Sequence, residues 1–229
     1  MSLGLVPARL GRVLAPLVVV EAALVAVLGA LVWHSTNGDR FDSAVARSLY
    51  AGPGSWVRGV ASVVTVFGAA GFIVPATVLV TVWAWFLFRD RDRWLVLFAP
   101  VAVLVPFLAG RVLKGAVHRQ RPSTSTLLQE VHASFPSGHA TSSAALALTI
   151  ALLLIAGAVS WRRPVIVGLG VYAVAVSLSR LVLGVHYLTD VVGGICLAGA
   201  CVLSCAWLFS RGGGRESNPP DGDRPSHPL

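Results

Sequence analysis

The chain has 229 residues, 55% of them hydrophobic and only 12% charged, with a mean hydropathy of +0.77. A water-soluble domain carries about a quarter charged residues, so the composition rules against an ordinary soluble enzyme and for one compact helical bundle in a bilayer. The net charge of +8 comes without a basic stripe interleaved with aromatics, which argues against nucleic acid as a partner.

Six apolar segments follow one another, each close to the roughly 20 residues that cross the hydrocarbon as a helix. The first, 13–33, comes after Arg9 and Arg12. It exceeds the apolar run of a secretory leader, about 7–15 residues, and is read as an uncleaved span. It contains Glu21. An ionisable group there is costly, and a partner inside the bundle or tolerance near one end explains it better than chemistry does. Residues 39–59 form a connecting loop whose part 41–50 is mildly amphipathic. It is either a segment lying on the membrane near the site or a plain connector.

The second to sixth spans are 64–88, 94–112, 140–160, 164–179 and 191–209. The third and fifth have shorter uncharged cores and can extend by a turn through the charged residues that follow. Trp33, Trp83, Trp85, Trp94 and Trp161 lie near span ends and read as interfacial anchors. Cys196, Cys201 and Cys205 share one apolar run, which suggests neither a disulfide framework nor metal spacing. From Arg211 to the end the chain is rich in Gly, Pro and Asp, the composition of a disordered tail. The expected organisation is a membrane domain over 1–210 and a tail over 211–229.

Lys and Arg in the short loops set the orientation. With the N-terminus inside, ten fall on the inner side and eight on the outer, but three of the outer eight are Lys114, Arg121 and Arg180. Those three have a chemical reason to be where they are. Without them the bias favours a cytoplasmic N-terminus and C-terminus, and the loops after spans three and five then share the outer face.

Three groups of residues in those outer regions can do chemistry. Lys114, the one lysine of the chain, is seven residues before Arg121. Two helical turns would put both on one face, and Pro122 would end the helix at Arg121. A planar guanidinium and a point-charge ammonium together suit a phosphate. Pro136-Ser137-Gly138-His139 precedes the fourth span. Ser137 is a candidate N-cap, Gly138 allows close backbone approach, and unpaired amides at a helix start attract an anion. His139 can reach a leaving oxygen from there; an ordinary capped helix start reads equally well. His186 and Asp190 stand four apart, one above the other if helical. The carboxylate can hold one ring nitrogen's proton and leave the other nucleophilic, although such a pair is often only a structural hydrogen bond. Arg180 can turn back toward the same phosphate. His118 and His132 pair with no carboxylate in a metal-ligand pattern, so no metal is expected.

Taken in order, Lys114-x6-Arg121-Pro122, Pro136-Ser137-Gly138-His139 and Ser179-Arg180-x5-His186-x3-Asp190 resemble the signatures of the type 2 phosphatidic acid phosphatase (PAP2) superfamily. The resemblance extends over most of residues 10–210 and implies an all-α, six-span membrane bundle like the vanadium haloperoxidases in its site but not in its solubility. It implies hydrolysis of a lipid phosphomonoester or diphosphate, with no cofactor and no metal. In that scheme His186 is the nucleophile that becomes a phosphohistidine, Asp190 orients it, and His139 is the acid and then the base. Lys114, Arg121, Ser137, Gly138 and Arg180 bind phosphate oxygens. Phosphatidylglycerol phosphate, phosphatidic acid and polyprenyl diphosphates are the expected substrates, met at the outer surface of the plasma membrane. The short loop 123–134 suggests an open, permissive site. Phosphotransfer to an alcohol through the same intermediate, or a non-catalytic relic, are the alternatives. Oligomeric state is not legible.

Overall fold

A computed structural model describes residues 8–33, 40–89, 94–122 and 133–212. The expected tail from 213 onward, the loop 123–132 with His132, and the side chain of Trp94 lie outside the described residues. Eight helices run in the order α1 (Ala8–Trp33), α2 (Arg40–Leu49), α3 (Trp56–Val66), α4 (Ala70–Phe88), α5 (Trp94–Val117), α6 (Gly138–Ala156), α7 (Arg162–Val182) and α8 (Leu188–Gly212). Six of them, all but α2 and α3, are long and apolar enough to cross a membrane.

The helices divide into a centre and a rim. Most of α6 and α8 is buried, while little of α1 and α4 is. The exposed surface is itself apolar: Val19, Leu31, Leu79, Val112 and Val167 are among the large side chains facing outward. Lipid tails, not water, are the solvent that tolerates such a rim. Inside, the main core joins Phe98, Leu152, Leu153 and Val202 through many alanines, among them Ala84, Ala99, Ala102, Ala145, Ala198 and Ala206. Without a hydrophobic drive between helices in lipid, small residues that let backbones approach supply the packing. Glu21 follows the same logic, since its carboxylate lies against Gly199 of α8, in the space that a side chain there would fill. Trp33, Trp85 and Trp161 are exposed at helix ends as anchors should be, whereas Trp83 packs on the core.

The structure departs from several expectations. The second span does not begin at 64. Helix α3 stops at Val66, Phe67–Ala69 form a turn of i to i+3 hydrogen bonds, and α4 starts at Ala70. Gly68 permits this break, because a Cβ there would lie 2.5 Å from Val176 Cγ1 and 3.1 Å from His139 Cδ2. The third span runs on to Val117 and stops there, since His118 takes a left-handed φ of 49°. Lys114 and Arg121 therefore do not share a helical face. The amphipathic stretch of the loop is the helix α2, and α8 continues through Gly212, past the expected start of the tail.

Gly193 and Gly194 set how closely the central pair of helices can pack. A Cβ on Gly194 would stand 2.8 Å from the Ser137 carbonyl oxygen and 2.9 Å from Thr141 Oγ1, and one on Gly193 would enter the Phe135 ring. Gly194→Val is expected to destabilise the protein by about 1–3 kcal/mol, the usual cost of overpacking. A lower unfolding midpoint in detergent is the readout, and an unchanged midpoint would show that this crossing can relax.

Candidate functional site

The α7–α8 turn is built by a glycine. Gly184 has φ 69°, and the Gly184 N–H to Leu181 O and Val185 N–H to Arg180 O bonds close a Schellman cap on α7. The chain then turns at once, so His186 sits before α8 and not on its face, contrary to the helical reading. Asp190 in the first turn of α8 accepts the Tyr187 backbone N–H at 2.9 Å, the carboxylate half of a capping box. These two local devices bring His186 Nδ1 to 3.4 Å from Asp190 Oδ2.

Arg121 closes the other side of the ring. Its Nη1 donates to Val185 O at 2.8 Å and lies 3.2 Å from His186 Nε2. A guanidinium has only donors, so Nε2 must accept, and the proton of the neutral ring sits on Nδ1, toward Asp190. Burial pushes the His186 imidazole from 6.5 down to about 3, and Arg180 and Arg121 act in the same direction against Asp190. The ring is neutral at neutral pH. Below pH 6.5 the unfolded chain takes up a proton that folded His186 refuses, so its stabilising contribution is complete above that value and fades as pH falls toward 3. The unfolding midpoint should therefore drop on acidification to about pH 4, and drop less in His186→Gln. Equal slopes for the two proteins would contradict a depressed His186.

The remaining predicted residues take distinct places. Ser137 is the N-cap residue of α6, yet its side chain makes no capping bond. Its Oγ is buried and has no hydrogen-bond partner, while its backbone N–H donates to Asp190 O at 2.9 Å. Gly138 is exposed and faces open space, where a Cβ would meet nothing within 4 Å. His139 is half-buried in the first turn of α6, beside Gly68. Lys114 Nζ donates to Ala133 O at 2.7 Å, tying α5 to the strand of chain that leads into α6. Arg180 is buried and donates to Thr65 Oγ1 of α3 at 2.8 Å. Lys114, Arg121, Ser137, His186 and Asp190 thus meet through one connected shell, and Arg180 contributes its charge from the α3 side. Among the described residues, no group of three or more His, Cys, Asp or Glu is placed to hold a metal.

Sequence reasoning missed four neighbours. Ser134 Oγ donates to Asp190 Oδ2 and lies 3.4 Å from His186 Nδ1. Arg119 is bonded to Asp190 at 2.6 Å and to Asp42 of α2 at 2.7 Å. Thr189 donates to Asp42 through Oγ1 at 2.5 Å. His118, just before Arg119, takes a positive φ, and the expected helix running on to Arg121 gave no sign of this turn.

The PAP2 superfamily profile matches residues 94–213. The chain belongs to the PAP2 superfamily. Phosphatidylglycerophosphatase B of Bacillus subtilis is 31% identical over 167 residues that cover 72% of this chain and 81% of that protein. Decaprenylphosphoryl-5-phosphoribose phosphatase of Mycobacterium tuberculosis is 38% identical over 132 residues, 56% of this chain and 66% of the relative. The crystal structure of a transmembrane PAP2 type phosphatidylglycerolphosphate phosphatase from Bacillus subtilis superposes with a TM-score of 0.71 at 28% identity, covering 85% of this chain and 94% of that one. This PAP2 protein is thus a multi-pass membrane protein with the fold of a membrane phosphatase.

Proposed function

We propose that this PAP2 protein releases phosphate from a lipid phosphomonoester or diphosphate through a phosphohistidine on His186, without a metal. The observation that carries the reading is the state of that ring. It is buried and neutral, with Nδ1 toward Asp190 and Nε2 under the fork of Arg121. Nε2 attacks phosphorus, the bond from phosphorus to the leaving oxygen breaks, and His139 protonates that oxygen. His139 then takes a proton from water as the water attacks phosphorus. The P–N bond breaks, inorganic phosphate leaves, and His186 is neutral again. Phosphoryl transfer needs alignment and charge stabilisation more than covalent help. Lys114, Arg121 and Arg180 supply the charge, and the Ser137 hydroxyl and the amides at the start of α6 supply donors.

The names of the relatives, one for a phosphatidylglycerophosphatase and one for a decaprenylphosphoryl-5-phosphoribose phosphatase, support lipid phosphates as the substrate class, and phosphatidic acid and polyprenyl diphosphates are proposed beside them. The bias of Arg outside the motifs supports a cytoplasmic N-terminus and a site on the outer face of the plasma membrane. The test is phosphate release by purified protein in detergent, with EDTA present, from phosphatidylglycerol phosphate, phosphatidic acid, diacylglycerol pyrophosphate and a polyprenyl diphosphate. Release that persists in EDTA and ranks the lipids supports the reading. Release restored only by added divalent ions would remove the metal-free mechanism. Transfer of phosphate to an added alcohol in preference to water would make the enzyme a phosphotransferase.

A further inference from the structure

The surface helix α2 sends one side chain into the site, and it is a carboxylate. Asp42 is 1% exposed and Arg119 is 2% exposed. Arg119 bridges Asp42 Oδ2 at 2.7 Å and Asp190 Oδ1 at 2.6 Å, donates to Thr189 Oγ1 at 2.6 Å, and lies over the Tyr187 ring at 4.2 Å. Asp42 in turn accepts the Thr189 N–H at 3.2 Å, at the positive end of α8. Two carboxylates and one guanidinium leave this buried triad with a net charge of one negative unit. The imidazole of His186 gains one positive unit when its Nε2 bonds to phosphorus. The triad therefore carries the charge that the intermediate needs, and holds it buried from solvent.

We propose that Asp42 and Arg119 are positioning residues that act through Asp190 on His186. Arg119 fixes the Asp190 carboxylate so that Oδ2 faces Nδ1. Asp42 draws part of the guanidinium charge away, so that Asp190 keeps enough negative potential to stabilise the cationic ring. The inference rests on the His186 chemistry proposed above.

The test is a double-mutant cycle of Asp42→Asn and Arg119→Gln in the full-length protein, with turnover normalised to folded protein. Each single change is expected to lower kcat by about 10- to 100-fold, the effect of losing a partner that orients a reactive histidine, with little change in KM. Asp42→Asn on the Arg119→Gln background should add almost nothing, because its route to Asp190 is already cut. Asp42→Glu should restore part of the loss. Additive effects, or a change confined to KM or to the unfolding midpoint, would overturn the proposal and leave the triad a structural tie. A second readout does not depend on turnover. The ring 15N and 13C shifts of His186 at neutral pH should move in Asp42→Asn, and unmoved shifts would also overturn it. Shifts that move in a protein with no phosphatase activity would leave the coupling standing and remove the His186 reaction instead.

Discussion

Replacing His186 by alanine is expected to reduce phosphate release by on the order of 10⁴-fold or more, the scale of losing a covalent nucleophile. The expectation follows from how little the side chains assigned to phosphate can attack phosphorus themselves. Arg121, Arg180 and Lys114 have only donors, and Ser137 Oγ has no hydrogen-bond partner to act as its base. With 32P-labelled lipid and rapid quenching, the parent protein should carry an acid-labile, alkali-stable label that His186→Ala lacks. Folding is checked by the unfolding midpoint and by elution as a single species. A folded variant that keeps a tenth of the activity, or that still takes up label, would move the nucleophile elsewhere.

His139→Gln is expected to cost roughly 10²–10⁴-fold, the range of general acid and base help. The loss should depend on the leaving group in a way that a merely structural change would not. A lipid alkoxide needs a proton in order to leave, so the first step suffers. An aryl phosphate with an acidic phenol leaves without one, so only hydrolysis of the phosphoenzyme remains slow. The variant should then give a stoichiometric burst of phenol followed by slow turnover. A uniform loss for both substrates, with no burst, would show that His139 only supports the helix start.

The sequence carried the fold class and the spacing of the motifs, because bilayer burial writes long apolar runs and phosphate chemistry requires particular side chains. It carried less of what joins them. The break at Phe67–Ala69 is invisible in composition, since Val64 to Phe88 reads as one apolar run, and it depends on Gly68 passing between Val176 and His139. The stop of α5 at Val117 rests on one residue, His118, in a left-handed conformation. The local propensity of Pro122 pointed to a later stop. Asp42 and Arg119 are far apart in the chain, and no spacing rule connects a charge in a surface helix to one beyond the third span. Thr65 is hidden for the same reason: nothing local marks it as the partner of Arg180. Ser134 differs, since it lies three residues before Ser137 in the same short approach to α6 and is the neighbour that a closer reading of that segment would have reached.

The separation between a buried pair of central helices and a rim of lipid-facing ones has an evolutionary consequence. The groups assigned to phosphate come from helix ends and the turns between them, while the outward faces of α1 and α4 meet hydrocarbon. Substitutions on those faces are selected by the company they keep in the bilayer and are nearly neutral for the head-group reaction. One lineage can then drift from one lipid tail to another while its reaction centre stays fixed. Relatives that carry the names of a glycerophospholipid phosphatase and of a polyprenyl-linked sugar phosphatase are what such a modular arrangement would leave behind.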